Sequence, residues 1–381
     1  MDFKLTDEQL AVSEAAGGVF SGLVDAEKIA AVESSTDRID RDLWRALADA
    51  DLLGLAIPEA DGGAGYGLME LCLLLEAQGN AVAPVPLWST LVLGAMPLAA
   101  FGSEAQRAAW LPGVVAGDVI LTAALTGAAS SPTSMPSVRA RATGDGFVLH
   151  GTELAVPQAH LADRIVLPAR TEDGGVLLAL LDPRAAGVTL ERAVTTNREV
   201  HPHLHLADVA LGAGDILAGP DAGRAALDLA LTASTIALCA LQVGVCEAAL
   251  TKTATYLNSR QQFGRPLSTF QGTMLRAADA AIDIEAMRVT WENAAWRFDT
   301  GRDATDAARV AKWQASERGQ RTVHATQHLH GGMGADISYP IHRYFLWGKQ
   351  IELLLGGPSA QLAKLGADIA AQALARAEAG S

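Results

Sequence analysis

Eighteen consecutive uncharged residues, Leu229–Cys246, constrain the fold of this chain more than any other feature. A stretch that long and apolar has to be hidden from water, either across a bilayer or inside a packed bundle. Its content points to the bundle. Thr232, Ser234, Thr235 and Gln242 lie within it, and Asp228 and Glu247 flank it where a membrane span would carry Lys or Arg. Similar helical patterns run over roughly residues 224–258, 270–300, 303–331 and 359–377, so the last 160 or so residues read as a bundle of long helices.

The rest of the chain divides in two. Residues 6–116 read as mostly helical, with Ala- and Leu-rich windows at Asp42–Ala50, Leu68–Gln78 and Ser103–Val115, interrupted by the glycine-rich turn Pro58–Gly67. From Val119 to Gly219 short β-rich runs alternate with Gly, Pro and Asp turns, and Gly144–Gly146 marks a hairpin. The expectation is an α+β protein: a helical amino-terminal domain (1–118), a middle β-domain (119–219) and a carboxy-terminal helical domain (220–381). Cys72, Cys239 and Cys246 form no ligand cluster and sit in apolar helical stretches, as free thiols of a reducing compartment would. The first ten residues, MDFKLTDEQL, are acidic and amphipathic and do not read as a secretory leader, so the chain reads as cytoplasmic. A formal charge of −14 with no basic run excludes nucleic acid and anionic membrane as expected partners.

Two loops between the long helices carry chemistry. In Arg260–Gln271 (RQQFGRPLSTFQ), Arg260 offers a fork of donors suited to a pyrophosphate and Phe263 an aromatic face for stacking. Gly264 permits a tight turn, and Pro266 stops the preceding helix. The second loop, Gln327–Gly334, joins a carboxamide, the imidazole of His330 and three glycines. Together they suit a large, planar, phosphate-bearing cofactor.

In order and spacing, these loops and the following DISYPIHRYF resemble the carboxy-terminal domain of the acyl-CoA dehydrogenase family. The block Trp44–Gly67 is similar to the family's amino-terminal entry motif, and the resemblance covers essentially the whole chain. It implies the family's fold: a helical domain, a β-barrel or sandwich, and a four-helix bundle. It also implies FAD, with Arg260, Gln262, Phe263, Gln271, Gln327, His330 and Gly331 reaching across a subunit interface to a neighbour's cofactor.

The same resemblance exposes what is lacking. Abstraction of the α-proton of an acyl-CoA needs a base, and in many members it is a Glu on the loop after the HGG segment. Here Gly356 falls at that position, followed by Gly357 and Pro358. In other members the Glu faces the flavin from the helix, a slot that falls near Ser234. Glu247 lies thirteen residues further along the same helix, over three turns away, and Glu352 reads either as an ion-pair partner of Lys349 or as solvent-exposed. In the β-domain Thr122 and Thr126 remain as hydroxyls, but the family's acidic-Pro and Ser-Asp elements are not recognisable. The strand that walls the flavin reads ELAVPQAHLAD, without an aromatic and with Pro157 inside it.

Three readings follow. The chain is a subunit that lends cofactor contacts to a paralogous partner bearing the catalytic Glu. In this it is similar to the flavin-incomplete chains of α2β2 steroid side-chain acyl-CoA dehydrogenases of bacteria. Alternatively it is a self-sufficient homotetrameric dehydrogenase with an unrecognised base, or a non-enzymatic scaffold on the same fold.

Overall fold

A computed structural model describes residues 3–144 and 146–379. The amino-terminal part holds α1 (Asp7–Leu23), α2 (Ala26–Ser34), α3 (Arg41–Asp49) and α4 (Leu68–Ala81), then a wide-turned π-helical segment, Trp88–Ala95, running into α5 (Met96–Phe101), and finally α6 (Glu104–Val115). Side-chain caps set the starts. Thr6 accepts from the backbone of Gln9 while the Gln9 side chain returns to Thr6, and Ser103 and Gln106 do the same for α6.

The middle of the chain forms one mixed sheet. Its strands are β1 (Leu121–Ala123), β2 (Arg139–Thr143), β3 (Gly146–Glu153), β4 (Arg164–Thr171), β5 (Val176–Leu181), β6 (Val188–Glu191), β7 (His203–Leu211) and β8 (Ile216–Ala218); the short helix α7 (Thr126–Ser130) follows β1. The order is β6-β7-β3-β2-β4-β5-β8, with β1 also parallel to β4. Thr143 pairs with Gly146 across the β2–β3 connection, as the Gly144–Gly146 signal predicts; the middle residue, Asp145, lies outside the described residues. β5 is buried at all six positions, whereas β2 buries only Ala140. The short α7 and the π-helical segment have no counterpart in the sequence reading.

The carboxy-terminal part holds α8 (Pro220–Ser259), a small hairpin of β9 (Gln261–Gln262) and β10 (Arg265–Pro266), α9 (Gln271–Asp299), α10 (Thr305–Leu329), α11 (Ile341–Leu353) and α12 (Pro358–Ala379). Four of these helices match the long patterns, and α11 is an addition. α8 is the axis of the molecule. The window Leu229–Cys246 is almost wholly buried against α4, α9, α10 and α11, so the uncharged stretch is a core helix. All three cysteines are buried and free, and burial pushes their thiols up, Cys239 and Cys246 to about 12.

A charged network ties α4, α8 and α9 together at the edge of this core. Arg288 on α9 pairs with Glu76 on α4 and lies 3.3 Å from Glu247 on α8 and 3.8 Å from Glu285. Glu247 therefore has a structural partner. Burial lifts the Glu76 carboxyl from 4.5 to about 7 against the pull of Arg288, with Glu247 and Glu292 adding to the lift. Because the folded state holds this proton more tightly, the stabilisation is complete below pH 4.5 and is lost as pH rises through 7. Glu76→Gln is expected to flatten the fall in melting temperature between about pH 5 and pH 7, removing a dependence of roughly 1–3 kcal/mol. A slope unchanged by the substitution would assign the titration to another group.

Candidate functional site

Arg260 ends α8, donating its backbone N–H to Tyr256 O (2.8 Å) and accepting from Leu267 N–H (2.9 Å). These bonds pin the base of the β9–β10 hairpin, in which Gln262 pairs with Arg265. The two turn residues, Phe263 and Gly264, have φ of +54° and +77°, the pattern of a type I′ turn. Glycine adopts that conformation freely, but an aromatic residue does so at a cost. The strained position holds Phe263 at the tip, 91% exposed, with only an edge contact to Phe270 at 6.1 Å. Arg265 lies over the Phe270 ring at 4.1 Å and stiffens the hairpin from behind. The Arg260 side chain is exposed and, among the described residues, makes no hydrogen bond or ion pair. Gln262 and Gln271 are exposed beside it.

The second loop sits next to the first, and Tyr256 makes the junction. One turn before Arg260, its ring stacks on His330 at 4.5 Å, and its hydroxyl donates to His330 O at 3.4 Å. Arg276 on α9 reaches His328 Nδ1 at 2.9 Å, closing the same gap from the other side. Gln327 donates to Gly334 O at 2.9 Å and folds the glycine loop back on α10. His330 is itself buried, wedged between Tyr256 and Tyr339, with Nδ1 2.8 Å from Thr326 O; burial lowers its pKa. Its ring holds the loop from inside. Gly331 is exposed, with no atom within 4 Å of where a Cβ would stand. Of the seven residues that the family resemblance implies as cofactor contacts, six are exposed or half-buried around these two loops and the seventh, His330, turns inward. Tyr256 was not anticipated, although an aromatic one helical turn before Arg260 was a readable signal.

Twenty-six residues before Arg260, α8 is packed inside the core. Ser234 is fully buried and donates Oγ–H to Ala230 O at 2.5 Å. Trp88, from the π-helical segment, lies across it and donates Nε1–H to Ser234 O at 3.2 Å. The space between Trp88, Gln158, His201, Leu238 and Trp347 is a cavity of only about 20 Å³, the size of one water. Thr122 turns away to donate to Pro157 O at 2.7 Å, and Glu199 occupies His201 (3.2 Å) and Asn197 (2.9 Å). Gly356 follows the end of α11 with φ +94°, a conformation that a glutamate would adopt only under strain. Lys349 pairs with Glu352 at 2.5 Å, as the sequence suggested. Lys312, wholly buried, donates to Ile351 O (2.8 Å) and Glu352 O (3.1 Å) and so caps the end of α11.

A helical domain, a β-sheet domain and a helical bundle carrying an Arg-x-x-Phe-Gly hairpin define a flavin-linked dehydrogenase architecture. The chain belongs to the acyl-CoA dehydrogenase family: residues 6–118 match the acyl-CoA dehydrogenase N-terminal domain and residues 221–370 its C-terminal domain. It is 37% identical to acyl-CoA dehydrogenase FadE27 of Mycobacterium tuberculosis, over 97% of this chain and 99% of that one. Among solved structures, a variant of the Tcur3481-Tcur3483 steroid ACAD is similar with a TM-score of 0.90 and 46% identity, covering 97% of this chain and 99% of that chain. The ChsE4-ChsE5 complex from Mycobacterium tuberculosis gives the same TM-score and coverage at 36% identity.

Proposed function

We propose that this chain is the cofactor-lending, base-lacking subunit of an FAD-dependent acyl-CoA dehydrogenase, active in a complex with a paralogous subunit that carries the catalytic Glu. One contrast carries the reading: the two positions where a family base would stand hold a buried Ser234, its carbonyl bonded by Trp88, and Gly356, while the Arg260–Phe263 hairpin is held open to solvent, its Arg260 side chain without a hydrogen bond or ion pair among the described residues. Neither base position therefore offers a carboxylate to a substrate held beside a flavin ring in this chain. The outward surface does suit the other end of the cofactor. Arg260 would meet the pyrophosphate, Phe263 would stack on the adenine, and Gln262, Gln271, Gln327 and the Gly331 backbone would complete the contact, with His330 fixing their loop. When bound, FAD supplies the two-electron acceptor for α,β-dehydrogenation of a CoA thioester. The proton is left to a base on the partner, since Gly356 stands at the expected carboxylate position and Glu247 is held by Arg288. The relatives named for steroid chemistry and for a two-protein complex support a steroid side-chain thioester as substrate and a heterotetramer as the working form. A cytoplasmic site of action goes with such a substrate.

The decisive measurement is the visible spectrum of the chain purified alone and then co-expressed with its paralogue. Colourless protein that joins a yellow complex with fewer flavins than subunits is the expected result. A yellow chain on its own, near one flavin per subunit, overturns the proposal.

The strained tip supplies a second check. Phe263→Asn places a residue suited to the turn at φ +54°, so the isolated chain should gain up to about 1 kcal/mol. Flavin retention by the complex should nevertheless fall, by roughly the 1–3 kcal/mol that a stacked aromatic contributes. A more stable chain with full flavin retention would remove Phe263 from the site.

A further inference from the structure

The sheet carries an unexplained row of positive charge on its outer face. Arg139 on β2 is the register partner of His150 on β3 and of Arg170 on β4, so three basic side chains stand abreast on adjacent strands. Their neighbours Ala140, Leu149 and Ala169 are buried, which places the three on the solvent side together with Arg141, two residues along β2. Like charges directly opposite one another destabilise a sheet. Nothing within the chain offsets them: among the described residues none of the three guanidiniums makes an ion pair or a side-chain hydrogen bond, and Glu172 and Asp208 line the same depression without reaching them. This accumulation occurs in a chain of net charge −14.

We propose that this face binds a small polyphosphate of nucleoside-diphosphate size, at a site separate from the Arg260 hairpin. The argument is one of shape and extent. The depression holds about 640 Å³, within the range of small-molecule sites. Three strands span roughly 10 Å and two residues along β2 roughly 7 Å, so the cationic footprint is on the order of 70 Å². A stable protein interface needs about 800 Å² on each side, far more than this patch supplies. Guanidinium forks on a rigid strand framework suit the oxygens of adjacent phosphates, and Val148, opposite Arg141, gives a small apolar surface beside them.

The test is calorimetric titration of the full chain, alone and in its complex, with ADP, inorganic pyrophosphate and a ten-residue poly-glutamate. Saturable binding of ADP or pyrophosphate, weakened at least tenfold in Arg139→Thr/Arg170→Thr and unchanged in Arg260→Ala, is expected. Tighter binding of ADP than pyrophosphate identifies a nucleotide as the source of the phosphates, and equal binding identifies a free polyphosphate. Because the double variant loses no internal partner and relieves repulsion, it should melt no lower than the parent chain without ligand. It should also lose the rise in melting temperature that ligand gives the parent. Absence of saturable binding up to 10 mM, binding that survives in the double variant or disappears with Arg260→Ala, or preferential binding of poly-glutamate would each overturn the proposal.

Discussion

Replacing Arg260 with alanine in the assembled complex is expected to lower its affinity for FAD by about 10- to 150-fold. The range follows from the roughly 1.5–3 kcal/mol that a hydrogen bond to a charged group is worth. Arg260 is suited to that effect because its side chain has no role inside the chain: only its backbone pins the hairpin, through Tyr256 and Leu267, and an alanine keeps both of those bonds. The melting temperature of the isolated chain should therefore move by less than its ordinary scatter, while flavin absorbance per complex drops and activity drops with it. Adding excess FAD should restore much of the activity, since under the proposed function the base and the ring site lie on the partner subunit. Full flavin content in the variant complex would remove the hairpin from the cofactor site. A chain that unfolds instead would mean that Arg260 is structural. Lysine at this position should recover only part of the affinity, because it keeps the charge without the planar fork.

The hairpin was legible because its chemistry is local. An arginine at a helix end, a glycine at the second turn position and a proline on the returning strand specify the turn within seven residues. The long helices were legible for the same reason, their apolar period running over several turns. α11 was not, because it begins directly after Pro340 within a segment whose His, Arg and Tyr side chains break the apolar pattern; His342, Arg343 and Tyr344 are nonetheless buried. Arg343 is satisfied by Glu33 at 3.0 Å, a residue 310 positions away. The covering of Ser234 was also beyond local pattern. Trp88 and Ser234 are 146 residues apart, and only the packed fold shows that an indole lies across that serine. Sequence comparison could mark the absence of a carboxylate at Gly356 and Ser234. It could not show that Ser234 is buried with its carbonyl bonded by Trp88, or that Gly356 takes a φ of +94°.

Gly244→Ala should be among the most damaging single methyl additions at the described residues. At the crossing of α4 and α8, a Cβ on Gly244 would stand 1.9 Å from Glu76 O and 2.8 Å from Asn80 N. Gly79 faces it, and a Cβ there would be 2.2 Å from Leu241 O. The obstructing atoms are backbone on both sides, so no rotamer change relieves the contact and the two helices must separate. Overpacking a core costs about 1–3 kcal/mol even when side chains can yield, and here they cannot, so a loss of more than about 3 kcal/mol is expected. Separation would also disturb the Glu76–Arg288 pair, anchored on α4, and the Trp88–Ser234 hydrogen bond, anchored on α8. Gly18→Ala is the matched control. Gly18 is exposed within α1 with nothing within 4 Å of a Cβ, so alanine there should stabilise by about 0.5–1 kcal/mol. Chemical denaturation of the two variants beside the parent chain measures both effects. A Gly244→Ala protein as stable as the parent would show that α4 and α8 cross at a greater distance than described.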